Sequence, residues 1–344
     1  MNRTAIFFVL TLSSWIQPLA QQKKDVVIMK NGDHLSGTVK KLEQGSLYID
    51  LDYTASSIAV DWTKVEKIET NGQFQITLDD GKRSVGSIKK LPATEAPDQD
   101  FVIQARDGES KNASSRVVDI ESQEANFWHQ LTGAIDLGFN YTSGNSQTSL
   151  SSDASVNYLA TRWFAGATST TSFSGQPNTS RTNLYDFQVQ QGLFLINNSF
   201  LLGLQDFLHS SQQNLDLRAT LGGGYGHFLV RSFRSSLSVT GGLVYTNERF
   251  TTNQQGTDSN LEGMAGVMFQ LLQFNRYQLQ TQAFLFPGLT DFGRFRATPK
   301  VTFTVKLPNN FHTDFSFWNN YDSRPPASSK KNELGISNSL GWTF

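Results

Sequence analysis

Apolar and polar residues alternate with a period of two through most of the second half of this chain. From Asn332 to Phe344, Leu334, Ile336, Leu340, Trp342 and Phe344 share one face, while Glu333, Gly335, Ser337, Ser339, Gly341 and Thr343 share the other. The same pattern runs through Leu131 to Tyr141, Leu215 to Gly226 and Arg294 to Lys306. With turns taken as boundaries, strands are predicted near 130–142, 148–160, 163–174, 182–194, 199–208, 214–227, 235–248, 259–271, 276–286, 294–306, 311–321 and 332–344. The 199–208 segment is the weakest, because Leu201 and Phe207 break its alternation. Twelve is an even number, as in single-chain bacterial barrels, and about 9–11 residues suffice for a tilted strand to cross a bilayer. One such strand alone would suit a soluble sandwich equally well; its repetition points to a transmembrane barrel. Connections after even-numbered strands are short and those after odd-numbered strands are generally longer and polar, the asymmetry of outer-membrane barrels. Aromatic residues gather near strand ends as interface belts require, with Trp163, Phe228, Phe233, Tyr277, Phe311 and Trp342 on the short-turn side.

Upstream, shorter apolar runs alternate with glycine turns. Gly37 to Leu42 recurs as Gly86 to Leu91, and Gly32 has its counterpart at Gly81, both at a spacing of 49 residues. This is an internal duplication, dividing the region into small β units at 25–71 and 72–122 ahead of a barrel at 127–344. Each copy reads as a four- or five-stranded small barrel of SH3-like or Sm-like type. Such modules more often bind partners than perform chemistry. Tyr48, Tyr53 and Trp62 are candidate contact residues, with ordinary core packing as the alternative.

Composition narrows the function classes. Among 344 residues, 29 Lys and Arg balance 30 Asp and Glu, which excludes nucleic-acid binding driven by bulk charge. Mean hydropathy is −0.35 and no apolar stretch after the N-terminus is long enough for a helical span. Residues 1–20 read as a secretory signal peptide cut after Ala20. There is no Cys, so thiol chemistry and disulfides are ruled out, and the five His follow no metal-ligand spacing. No cofactor motif appears. His209 beside Ser210 and Ser211 lacks a nameable acid partner, so an enzyme is not expected.

The inward face of the barrel collects charge. Asp136, Asp216, Arg218, Arg294, Arg296, Lys300, Asp314 and Glu333 are the candidate lumen residues. Opposed charges across a pore would favour small polar or anionic solutes; alternatively the groups pair with one another, Arg296 and Lys300 with Asp314 and Glu333, and plug it. Gly222, Gly224 and Gly226 leave room on one side, whereas Phe284, Phe286 and Trp318 narrow the other. Leu340, Trp342 and Phe344 form the closing strand's assembly signal, toward barrel-assembly machinery and outer-membrane lipid. The segments Val26 to Gly37, Val60 to Ile68 and Trp128 to Asn145 resemble the family of salt-induced outer-membrane proteins, a group of unknown function whose members often carry small β repeats upstream. An even strand count starts the barrel on the short-turn side, which places the N-terminal region in the periplasm; the resemblance implies a bacterial outer-membrane barrel and an osmotic context, and brings no site residues with it. Two functions stay open: a narrow channel, or an anchor for a periplasmic module that meets a periplasmic or cell-wall partner.

Overall fold

Gly32 and Gly81 have φ of +89° and +80°, a left-handed conformation that glycine adopts without steric cost, and each turns the first hairpin of one copy of the duplication. In the computed structural model the described residues are 24–343, apart from 55, 92–98, 106–107, 123–130, 143–146, 161, 177–179, 252–256, 274–275 and 326–329. The expected signal peptide, Trp128 and Phe344 lie outside them. The first copy comprises β1 (Asp25–Met29), β2 (His34–Glu43), β3 (Ser46–Leu51), β4 (Ile58–Asp61) and β5 (Val65–Glu69). The second comprises β6 (Phe74–Leu78), β7 (Arg83–Lys90), β8 (Phe101–Ala105), β9 (Gly108–Asn112) and β10 (Val117–Ser122). A single 3-10 turn precedes the last strand of each, at Trp62–Lys64 and Ser114–Arg116.

The five-stranded copies do not close separately. β5 pairs with β7 through Ile68 and Lys90, and β10 pairs with β2 through Ile120 and Leu42, so the path β1-β5-β7-β6-β10-β2 returns to β1. The result is one shared ring in place of two self-contained small barrels. A unit of this size buries too small a fraction of its surface to be comfortably stable. Exchanging strand partners puts Val27, Leu42 and Ile68 into one core with Phe74, Ile88 and Ile120. Trp62 belongs to this core, with its Nε1–H donating to Ser114 O at 3.1 Å across the seam between copies. Its burial is the core packing that the sequence left open as the alternative to a contact role. Tyr48 is half-buried under the Lys41 ammonium, and of the three aromatic candidates Tyr53 is the exposed one.

The barrel comprises β11 (Leu131–Thr142), β12 (Gln147–Leu159), β13 (Trp163–Gly175), β14 (Thr182–Phe194), β15 (Ser199–Ser210), β16 (Leu215–Arg231), β17 (Ser235–Phe250), β18 (Thr257–Gln273), β19 (Tyr277–Pro287), β20 (Phe295–Lys306), β21 (Phe311–Asp322) and β22 (Asn332–Thr343). Each strand is antiparallel to the next, and β22 closes on β11 with Leu340 opposite Leu137 and Trp342 opposite Ile135. All twelve predicted strands are present. Closure pairs the backbone groups that an open edge would leave bare in hydrocarbon. Leu340 and Trp342 point outward with Ile135, Leu137, Phe139, Leu243 and Phe315, giving the outer wall an apolar surface. This is a transmembrane β-barrel.

Two belt assignments are corrected. Phe228 points inward and packs beside Phe200, because it keeps the parity of Gly224 and Gly226, and the bulge in β16 comes only after it. Phe233 leaves the barrel altogether and packs on the core of the N-terminal ring.

Candidate functional site in the barrel lumen

β15 is apolar on both faces, which explains its weak alternation. Leu201 faces outward, whereas Phe200, Leu202 and Leu204 face inward and cluster with Val244, Met264, Phe284 and Phe286. Glycines opposite these rings make the close approach possible: a Cβ at Gly226 would overlap the Phe200 ring, and one at Gly266 the Phe284 ring. Of the inward glycines of β16, Gly226 therefore does not line open space as expected: it accommodates the Phe200 ring, whereas Gly222 stays exposed. Around Phe200 and Phe284 this side of the lumen is packed like the interior of a soluble protein.

Above the apolar cluster, toward the long-loop end, lies a buried charge network. Arg294 Nη2 reaches Asp322 Oδ2 at 2.6 Å and Glu248 Oε2 at 2.8 Å. Arg218 Nε donates to Glu248 Oε1 at 2.6 Å, and its Nη2 is 3.5 Å from Asp322. Arg296 Nε donates to Glu262 Oε1 at 2.9 Å, with its guanidinium 5.0 Å from the Phe286 ring centre. Thr246 Oγ1 donates to Glu262 at 2.7 Å. Three guanidinium groups thus neutralise three carboxylates. The expected pairing of Arg296 and Lys300 with Asp314 and Glu333 does not form; Glu333 instead accepts from Ser210 Oγ at 2.9 Å. Asp322 is absent from the candidate residues because β21 runs one residue past the end that turn residues suggest, and Glu248 because it is the last residue of its predicted strand, where a polar side chain reads as the start of the loop. Period-two reading to the last residue of the one strand and one residue past the end of the other finds both.

Asp216 is not in the lumen. A bulge between Leu215 and Leu217 shifts it out of step with Arg218, and it forms an exposed pair with Arg249 at 2.6 Å at the long-loop rim.

The opposite wall is polar and looser. Asp136, Asp153, Thr170 and Asp186 lie opposite one another on successive strands β11 to β14, and Asp206 follows on β15 opposite Gln188. Thr170 Oγ1 donates to Asp153 at 2.6 Å, and His312 Nε2 lies 2.8 Å from Asp136 Oδ1. Among the described residues Asp153, Asp186, Asp206 and Asp314 have no Lys or Arg within salt-bridge distance, and one oxygen each of Asp186, Asp206 and Asp314 is buried without a hydrogen-bond partner. Thr168 and Lys300 are on inward positions of β13 and β20 yet remain exposed, so space that water can reach runs beside them.

The N-terminal ring sits over the short-turn end of the barrel. Asn198 Nδ2, in the β14–β15 turn, donates to Asp79 O at 2.6 Å, and Lys306 Nζ donates to Gln44 Oε1 at 3.4 Å. Arg234, in the β16–β17 turn, pairs with Asp61 at 3.5 Å, and the Arg83 guanidinium lies 4.4 Å from the Phe194 ring centre. The face turned to the barrel carries Lys41, Glu43, Gln75, Thr77, Arg83, Asp119 and Glu121 from β2, β6, β7 and β10. Burial pushes the Asp119 carboxyl from 3.8 up to about 7, with Glu43 and Glu121 adding to it against the weaker pull of Arg231 and Lys41. An aspartate whose folded pKa is raised stabilises fully below its unfolded pKa, and that contribution is lost as pH climbs through the folded value. Hydrogen exchange of β10 amides, corrected for intrinsic rate, should therefore be slower at about pH 5.5 than at about pH 8. Asp119→Asn should remove that difference; an undiminished difference in the variant would assign it elsewhere.

A family described as "Protein of unknown function, DUF481" matches residues 135–344. The chain belongs to this family. The matched region begins within β11 and ends with the barrel, so the family is defined on the barrel and the N-terminal ring lies outside it. No curated protein matches the chain. Among solved structures, the translocator domain of autotransporter NalP from Neisseria meningitidis is 16% identical, covering 62% of this chain and 86% of its own, with a TM-score of 0.35. The NanC porin is 9% identical, covering 61% of this chain and 97% of its own, with a TM-score of 0.38. Likenesses at this level are to barrels in general and say nothing of what this lumen does.

Proposed function

We propose that this DUF481 member is an outer-membrane barrel with a narrow, acid-lined passage for small hydrophilic cations, its N-terminal ring lying on the periplasmic side. The observation that carries this reading is the division of lumen charge. The arginines are consumed by Glu248, Glu262 and Asp322, whereas Asp153, Asp186, Asp206 and Asp314 face a Ser- and Thr-rich wall on which, among the described residues, Lys300 and Lys306 are the nearby cations outside any ion pair. The preference for small polar or anionic solutes expected from opposed charges gives way, with the arginines paired, to cation preference on this account. An osmotic setting, which the resemblance to salt-induced outer-membrane proteins implies, fits such a passage. Refolded full-length protein in planar bilayers should give small discrete steps in KCl with a cation-selective reversal potential, reduced by Asp153→Asn with Asp186→Asn. Silent bilayers holding folded protein would overturn it.

The docked ring supports a second reading, in which the barrel anchors a module that binds the cell wall. Full-length protein should then co-sediment with purified peptidoglycan, and a chain lacking residues 25–122 should not; equal pelleting of both would remove this reading.

A further inference from the structure

Asp136, His312 and Asp314 each bring one ligand atom to within 4.8 Å of the others on the inner wall. They come from β11 and β21, the two neighbours of the closing strand β22, and meet across Gly341. A Cβ at position 341 would overlap both Asp136 Oδ1 and His312 Nε2, so glycine is what keeps this space open. Asp136 and His312 are 7% and 6% exposed, and Asp314 is half-buried.

Three independent features make this more than an ion pair. Asp314 Oδ1 is shut off from solvent and has no hydrogen-bond partner among the described residues, which costs free energy in a buried setting unless something else occupies its lone pairs. Asp153 lies opposite Asp136 on β12, so three carboxylates face one imidazole; among the described residues no Lys or Arg is within salt-bridge distance of Asp153 or Asp314, and Lys306, opposite His312, turns its ammonium to Gln44. The imidazole is also oriented: its Nδ1 is 3.2 Å from Thr343 Oγ1, leaving Nε2 directed at Asp136. A hydrogen bond to the far ring nitrogen is the usual way a ligating histidine is held.

We propose that Asp136, His312 and Asp314 form a lumenal site for a first-row divalent cation, with Zn²⁺ the best match, tying β11 to β21 across the seam where the barrel closes. One imidazole nitrogen and two carboxylate oxygens are the donors such an ion takes, and three protein ligands leave a position open toward the passage. The site does not require the passage to conduct.

Full-length protein, refolded in detergent after chelator treatment, is titrated with Zn²⁺ by calorimetry and with Co²⁺ by visible absorption. One saturable site per chain is expected, weakened about tenfold or more in Asp314→Asn and in His312→Gln and unchanged in Asp216→Asn, at the exposed rim outside the lumen. Zn²⁺ should also raise the unfolding midpoint of the wild-type chain, a readout that needs no variant to fold. Absence of saturable uptake by folded wild-type protein, or equal affinity in Asp314→Asn and His312→Gln, would overturn the proposal. Because binding is read without current, a metal-binding but silent barrel would defeat only the conduction reading, and a conducting barrel without uptake only this one.

Discussion

Arg294→Ala is expected to destabilise the barrel by about 3–5 kcal/mol, because it strands Glu248 and Asp322 in a buried site with too little positive charge. Arg294 is 5% exposed, Glu248 0% and Asp322 2%, so water cannot take over the lost contacts. Arg218 would remain to serve both carboxylates, at 2.6 Å and 3.5 Å, and cannot satisfy them fully. Lys300→Ala is the control: its ammonium is exposed and in no salt bridge, and the change should stay within about 0.5 kcal/mol. Urea unfolding in lipid vesicles, followed by tryptophan fluorescence, compares them directly. Equal midpoints for the two variants would mean that the arginine network is solvated, and the division of charge underlying the passage would fall with it.

The second large effect concerns the apolar half of the lumen. Phe200 is 2% exposed and packs among Phe164, Phe228 and Leu202, so Phe200→Ala should cost about 3–5 kcal/mol through lost burial and the cavity left behind. Gly226→Val should cost about 1–3 kcal/mol by itself, since any side chain there meets the Phe200 ring. In Phe200→Ala/Gly226→Val the added methyl groups occupy the vacated space, so the double variant should be more stable than the sum of the two losses predicts. Strict additivity would show that the two positions do not touch. If instead Phe200→Ala is nearly silent in stability but raises conductance, the cluster is a loose constriction and not a packed core.

Much of the candidate site was legible one residue at a time. Alternation assigned Arg218, Arg294, Arg296, Lys300, Asp136 and Asp314 to the inward face, and the barrel puts all six there. Asp216 went wrong because a bulge changes parity within one strand and leaves no mark in a period-two pattern. Glu248 and Asp322 were missed because polar residues at a strand end look the same whether they begin a loop or continue inward. Partners could not be read either. Arg296 meets Glu262, 34 residues away, through the lumen and not along the sheet, and no local rule ranks that contact above the expected one with Asp314.

By itself the sequence determined the secondary structure and its periodicity: twelve amphipathic strands, their order, the loop asymmetry and the duplicated N-terminal unit. These follow from side-chain alternation and turn chemistry, which act over a few residues. Only the tertiary structure decided that the two copies share one ring, that the ring docks on the barrel through Asp79, Gln44 and Asp61, and that the lumen divides into a filled half and an acidic half. Those outcomes depend on which distant groups meet inside a closed wall, where burial makes an unpaired charge or an unfilled space costly, and alternation is silent about what stands across the barrel.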